Sequence, residues 1–144
     1  DAGYRRIMDF VEAAPNWPLA ESLLKRAERS LHVNKDDAQV ILAHFAKRQP
    51  VTAQGALALA RALIANGDKE TARRHVQRVW YDAEIGADLE KSVTSEFGSL
   101  LSLEDHKKRM WRLVYAQESN AAICLPPAMA PAFQHQWRLP YAAC

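Results

Sequence analysis

The chain has 144 residues, of which 25% are charged and 49% hydrophobic, and a formal net charge of +2. That length and balance suit one globular domain with a real core and exclude a disordered polymer. The small net charge gives no ground by itself for a nucleic-acid partner, and no run of about 18 apolar residues exists to span a membrane.

Asp1-Ala2-Gly3 leads straight into a helical pattern, with no signal peptide in view, so the sequence reads as a mature or trimmed product. Tyr4, Ile7, Met8 and Val11 recur at helical spacing and predict a first helix with one apolar face. Pro15-Asn16-Trp17-Pro18 interrupts it and starts the next, with proline suited to a first helical turn. Ala20, Leu23, Leu24, Ala27 and Leu31 form the second stripe. Asn34 is the expected cap of a third helix that turns Ala38, Ile41, Leu42 and Phe45 inward. Pro50 ends it and Thr52 caps a fourth, striped by Ala56, Leu59, Ala60, Leu63 and Ile64. Gly67 fits the left-handed position after that helix, and Asp68 caps a fifth that carries Ala72, Val76, Val79 and Trp80. So tight a turn between amphipathic segments predicts an antiparallel αα-hairpin. Ile85, Leu89, Val93 and Phe97 mark a sixth helix that Gly98 stops. Ser102 and Asp105 make a capping pair for a seventh, built by Leu103, Met110, Trp111, Leu113 and Val114.

Seven helices without a strand pattern predict an all-α fold over residues 1–123. Its hairpins are expected to stack as an α-superhelix or solenoid, similar to a tetratricopeptide array but with an irregular repeat. Residues 124–144 differ. They contain Pro126, Pro127, Pro131 and Pro140, both cysteines, and Arg138 as the one charged side chain. These prolines forbid a long helix. The segment is expected to be an irregular tail packed by Phe133, Trp137 and Tyr141, or else a segment foreign to the domain, as a frameshift would leave. Cys124 and Cys144 lack CxxC spacing and make no metal framework, although an oxidising compartment would permit them to pair.

Two segments carry a family resemblance. "GALALARALIANGDKETARRHVQRVWYDAEI" (55–85) and "FGSLLSLEDHKKRMWRLVYAQ" (97–117) resemble the helical region of soluble lytic murein transglycosylases. The shared elements are Gly55, Leu59-Ala60, Gly67, Ala72, Val79-Trp80, Phe97-Gly98, Leu101, Asp105-His106 and Arg109, with Trp17-Pro18 upstream. The resemblance implies a periplasmic α-superhelical region that stands before a separate lysozyme-like domain. The whole enzyme would cleave peptidoglycan without water, leaving 1,6-anhydromuramic ends, with one glutamate as acid and then base and a serine directly after it.

Glu118-Ser119 matches that dipeptide. A catalytic acid also needs a buried carboxyl in a sugar cleft, and the Gly-Leu-Met-Gln-type segment that follows it in the family is missing here. Too little chain follows Ser119 for a lysozyme-like domain, so Glu118 reads as a surface or capping carboxylate. Asp105 and His106, about 100° apart on a helix, do not face one another as a catalytic pair. The expectation is that Asp105 starts the helix and His106 makes a structural hydrogen bond. His32, His44, His75, His106 and His135 have no metal-ligand spacing, and no cofactor is expected.

Lys69, Arg73, Arg74 and Arg78, with His75, enrich one helix in positive charge; Lys107, Lys108 and Arg112, with Arg109, enrich another. They read either as a surface for an anionic partner or as solvated faces balanced by Glu70, Asp82, Glu84, Asp88 and Glu90. Trp17, Trp80 and Trp111 are placed in the core rather than on sugar rings. The sequence thus predicts a non-catalytic helical scaffold that positions peptidoglycan glycan strands or its own catalytic domain. The alternative is a helical-repeat adaptor for a protein partner, with nucleic acid a weaker third.

Overall fold

The computed structural model describes residues 2–14, 16–82 and 85–115. The expectations for Glu118-Ser119, the Cys124–Cys144 pair and the 124–144 tail lie outside them. The described residues hold no strand and form seven α-helices: α1 (Ala2–Ala13), α2 (Ala20–Asn34), α3 (Ala38–Phe45), α4 (Ala53–Ala65), α5 (Lys69–Trp80), α6 (Ala87–Phe97) and α7 (Leu103–Tyr115). The fold is therefore all-α, as the periodicity predicts. None of these helices is long and apolar enough to cross a membrane. The chain divides between Val79 and Trp80 into two compact units.

In the first unit α1 packs on α2, α2 on α4, and α3 on α4. The predicted stripes meet in one cluster: Tyr4 and Met8 from α1, Ala27 and Leu31 from α2, Ile41 and Phe45 from α3, and Ala58, Leu59 and Ala62 from α4. Leu57 and Ala60 are buried as well, so α4 is enclosed over most of its circumference and not along a single stripe. Its small side chains permit that close approach.

The helix ends follow local chemistry with two differences from expectation. Asn34 does not cap α3. It stays within α2, where Nδ2 donates to Ser30 Oγ at 3.0 Å, and Lys35 takes the left-handed conformation at φ 51°. Asp37 caps instead, its Oδ1 accepting the Gln39 N–H at 2.8 Å. Pro18 is not in the first turn of α2, because turn bonds from Trp17 N to Ala14 O and from Ala20 N to Trp17 O delay the helix to Ala20. The α4–α5 turn is as expected. Gly67 has φ +89°, its N–H reaches Ile64 O at 3.0 Å, and the Asp68 N–H reaches Leu63 O at 2.9 Å, the paired bonds of a Schellman motif. Asp68 Oδ1 then accepts the Thr71 N–H, which holds its carboxyl below the usual range.

A charged residue seats α4. Glu28 lies on the buried face of α2 and is 1% exposed. Its carboxylate accepts the N–H groups of Val51 (2.9 Å) and Thr52 (2.8 Å) and the Thr52 hydroxyl. Thr52 Oγ1 in turn accepts the Gly55 N–H at 2.9 Å, capping α4 as predicted. Burying a carboxylate is tolerable only with such bonds, and the positive end of α4 favours its charge. The fit requires glycine at 55: a Cβ there would stand 2.6 Å from Glu28 Cδ and 3.0 Å from Cγ.

In the second unit α6 runs into a 3-10 turn, Gly98–Leu100. Gly98 has φ −55°, so the helix tightens there without a left-handed stop. Ile85 precedes α6 and is not part of it. Val93, Phe97, Leu101, Met110 and Leu113 are buried, and so is Trp80, as its placement in the core anticipates. Leu103, Trp111 and Val114 are not: they are 46%, 44% and 47% exposed. The buried face of α7 is Asp105, Arg109, Met110 and Leu113, and Trp111, one position past Met110, is turned about 100° from it. In the first unit Trp17 is likewise exposed, its ring edge-on to Phe10 at 6.1 Å.

The Glu28–Gly55 fit predicts a specific coupling. Gly55→Ala should destabilise the chain by about 1–3 kcal/mol, as overpacking does. In a Glu28→Ala background, already weakened by unpaired N–H groups, the same change should become neutral or stabilising, since alanine is the better helix former. Urea unfolding of the four variants measures this; equal Gly55→Ala effects in both backgrounds would contradict it.

Candidate functional site

The polar residues that the resemblance singles out in the second unit meet around the end of α5. Arg109, on the buried face of α7, is 3% exposed. Its Nη1 donates to the carbonyls of Trp80 (2.9 Å) and Asp82 (2.8 Å), and Nη2 lies 3.4 Å from Glu90 of α6. The guanidinium also covers the Trp80 ring, 4.5 Å from its centroid. Carbonyls at a helix C-terminus lack intrahelical donors, and a cation there is favoured by the dipole. Burial pulls the Arg109 pKa down; Glu90 and Asp82 act against that shift.

Asp105 is one turn earlier on α7. Oδ2 accepts the Ser102 N–H and hydroxyl, both at 2.7 Å, while Ser102 Oγ accepts the Asp105 N–H at 3.3 Å. This is the predicted reciprocal capping, with aspartate in the place usually taken by glutamate. Oδ1 accepts the hydroxyl of Tyr81. Arg109 and Asp105 together therefore fasten the segment after α5 to α7.

His106 departs from its expected role. Its ring stands edge-to-face with Trp80 at 5.3 Å, and Nδ1 is buried with no hydrogen-bond partner among the described residues. Burial lowers its pKa, which suits an aromatic packing role. Asp105 and His106 thus engage different groups.

The seven basic residues fall in two places. On α5, Lys69, Arg74 and Arg78 are exposed and Arg73 is half-buried; Arg74 Nε lies 3.7 Å from Glu70. On α7, Lys108 and Arg112 are exposed and Lys107 is half-buried, its Nζ 2.8 Å from Glu104. Lys108 Nζ is 5.6 Å from the Tyr81 ring centroid. The first set lies in the first unit and the second in the other, so each is a local basic face.

Sequence reasoning passed over Glu28 and His44 as elements of the architecture and read Arg109 as one of a basic cluster. The available signal was phase: each carries a polar group at an apolar position of its stripe. Glu28 falls between Ala27 and Leu31, His44 between Ile41 and Phe45, and Arg109 beside Met110.

Searches of protein-family models, curated proteins and solved structures give no match to the chain.

Arg109→Lys should not restore what Arg109→Ala removes, because a single ammonium cannot reach two carbonyls and Glu90 in the geometry of a planar guanidinium. Both variants should lose about 2–4 kcal/mol in denaturant unfolding followed by tryptophan fluorescence. Wild-type stability in Arg109→Lys would show that charge alone suffices.

Proposed function

We propose that this chain is a non-catalytic helical scaffold of the soluble lytic transglycosylase type, periplasmic, which positions peptidoglycan glycan strands or a catalytic domain. One observation supports the reading above the rest: many of the residues that carry the resemblance occupy positions with strict physical demands, although Trp17 is exposed and Gly98 has an ordinary helical backbone. Gly55 lies against the Glu28 carboxylate, Gly67 has a left-handed backbone, and Ala72, Val79, Trp80, Phe97 and Leu101 are buried. Asp105 caps α7, and Arg109 ties it to the end of α5.

In this proposal the helices act through shape: stacked hairpins bury a continuous core and leave extended faces for a partner. The basic faces of α5 and α7 suit the carboxylates of peptidoglycan stem peptides. Superhelical stacking of the hairpins is part of the proposal.

A pull-down on purified peptidoglycan, paired with a muropeptide-release assay, tests it. The expected result is binding that persists at moderate salt, without release of products. Absence of binding would favour an adaptor for a protein partner. Release of anhydro products would show that the chain is catalytic. Binding lost steeply with salt would mark a purely electrostatic surface, as for nucleic acid.

A further inference from the structure

We propose that His44 is an acid-sensitive latch for α1: buried against Tyr4, its ring holds α1 to α3 only while neutral, so that acidification undocks α1. The proposal does not depend on the function proposed above.

His44 lies on α3 between the core residues Ile41 and Phe45 and is itself buried. The Tyr4 hydroxyl, from the first turns of α1, is 2.8 Å from Nδ1, and the two rings meet edge-to-face at 5.4 Å. Phe45 packs edge-to-face on the other ring contact at 4.6 Å. Nε2 is buried with no hydrogen-bond partner among the described residues. A neutral imidazole can accept the phenol's hydrogen bond at Nδ1. An imidazolium carries N–H at both nitrogens, so Tyr4 would have to surrender its donor role, and a second charged N–H would stay buried without an acceptor.

Among the described residues no anion bears directly on His44. Arg48, just past α3, is the charged group that bears on His44, and it opposes a second positive charge. Arg48, Glu12 and Asp36 bear on the Tyr4 phenol. To the same core α2 contributes Leu24, Ala27 and Leu31, and α4 contributes Ala58, Leu59 and Ala62, all apolar. Burial accordingly lowers the His44 pKa from 6.5 to about 4. The sign follows from linkage. A folded-state pKa below the unfolded value adds stability that is whole above about pH 6.5 and is lost as the pH falls toward 4.

α1 is where the loss would be felt. Tyr4 is the link between α1 and His44. Release would uncover the Tyr4, Ile7 and Met8 face together with the core residues beneath it.

Amide exchange of the full chain by NMR, corrected for the intrinsic pH dependence, tests the latch. The opening constant of α1 should rise by up to about tenfold per pH unit between pH 6.5 and 4. His44→Gln, polar but uncharged, should flatten that rise, and His75→Gln should leave it intact. No acid response in α1, or an equal response in His44→Gln, would overturn the proposal. Should His44→Gln fail to fold, the wild-type imidazole decides: ring resonances that titrate well below 6.5 support the latch, and titration at or above 6.5 overturns it.

Discussion

A carboxylate buried beneath a glycine sets the geometry of the first unit. Glu28 cannot reach Val51 and Thr52 unless α2 and α4 approach closely, and that approach is possible only because position 55 has no Cβ. The same contact fixes where α4 begins, since Thr52 both donates to Glu28 and caps the helix. With α4 seated, its small residues can be enclosed by the neighbouring helices, and the stripes of α1, α2 and α3 converge on Ala58, Leu59 and Ala62. A buried charge by itself is costly. Here its hydrogen bonds make it a specification of register: any shift of α4 along α2 would leave an ion without partners.

The second unit follows the same logic with the opposite sign. Arg109 takes the carbonyls of Trp80, at the end of α5, and of Asp82 just beyond it, while Asp105 takes the donors at the start of α7 and the Tyr81 hydroxyl. In both units an ionised side chain inside a helix face secures a loop at a helix end. A helical scaffold that presents surfaces to a partner needs its connections held in this way, because loops are where local opening begins. The proposed scaffold role is compatible with that rigidity, while the bond between His44 and Tyr4 depends on groups that stay neutral.

Much of the fold was legible in the sequence where its causes are local. Gly67 followed by Asp68, Thr52 before an apolar run, and the Ser102–Asp105 spacing identify helix ends because each motif satisfies its own backbone groups within three or four residues. The stripes of α1, α4 and α5 were readable for the same reason. Glu28, His44 and Arg109 were not, since their partners lie 19 to 40 residues away and a charge on an apolar stripe does not say what will meet it. Trp17 and Trp111 were misplaced because size and apolarity argued for burial, while helix phase and the α1–α2 turn decided against it. Asn34 lost the α3 cap to Asp37 because the chain turns at Lys35, three residues before the helix resumes.

Native-state hydrogen exchange at Val51 and Thr52 would test the role of Glu28 most directly. Both amides lie before α4, outside any helical hydrogen-bond ladder. If the Glu28 carboxylate holds them as described, they should exchange as slowly as amides in the interior of α4. Exchange as fast as that of an exposed loop would contradict the buried Glu28 contact and, with it, the view that α4 is seated by Glu28.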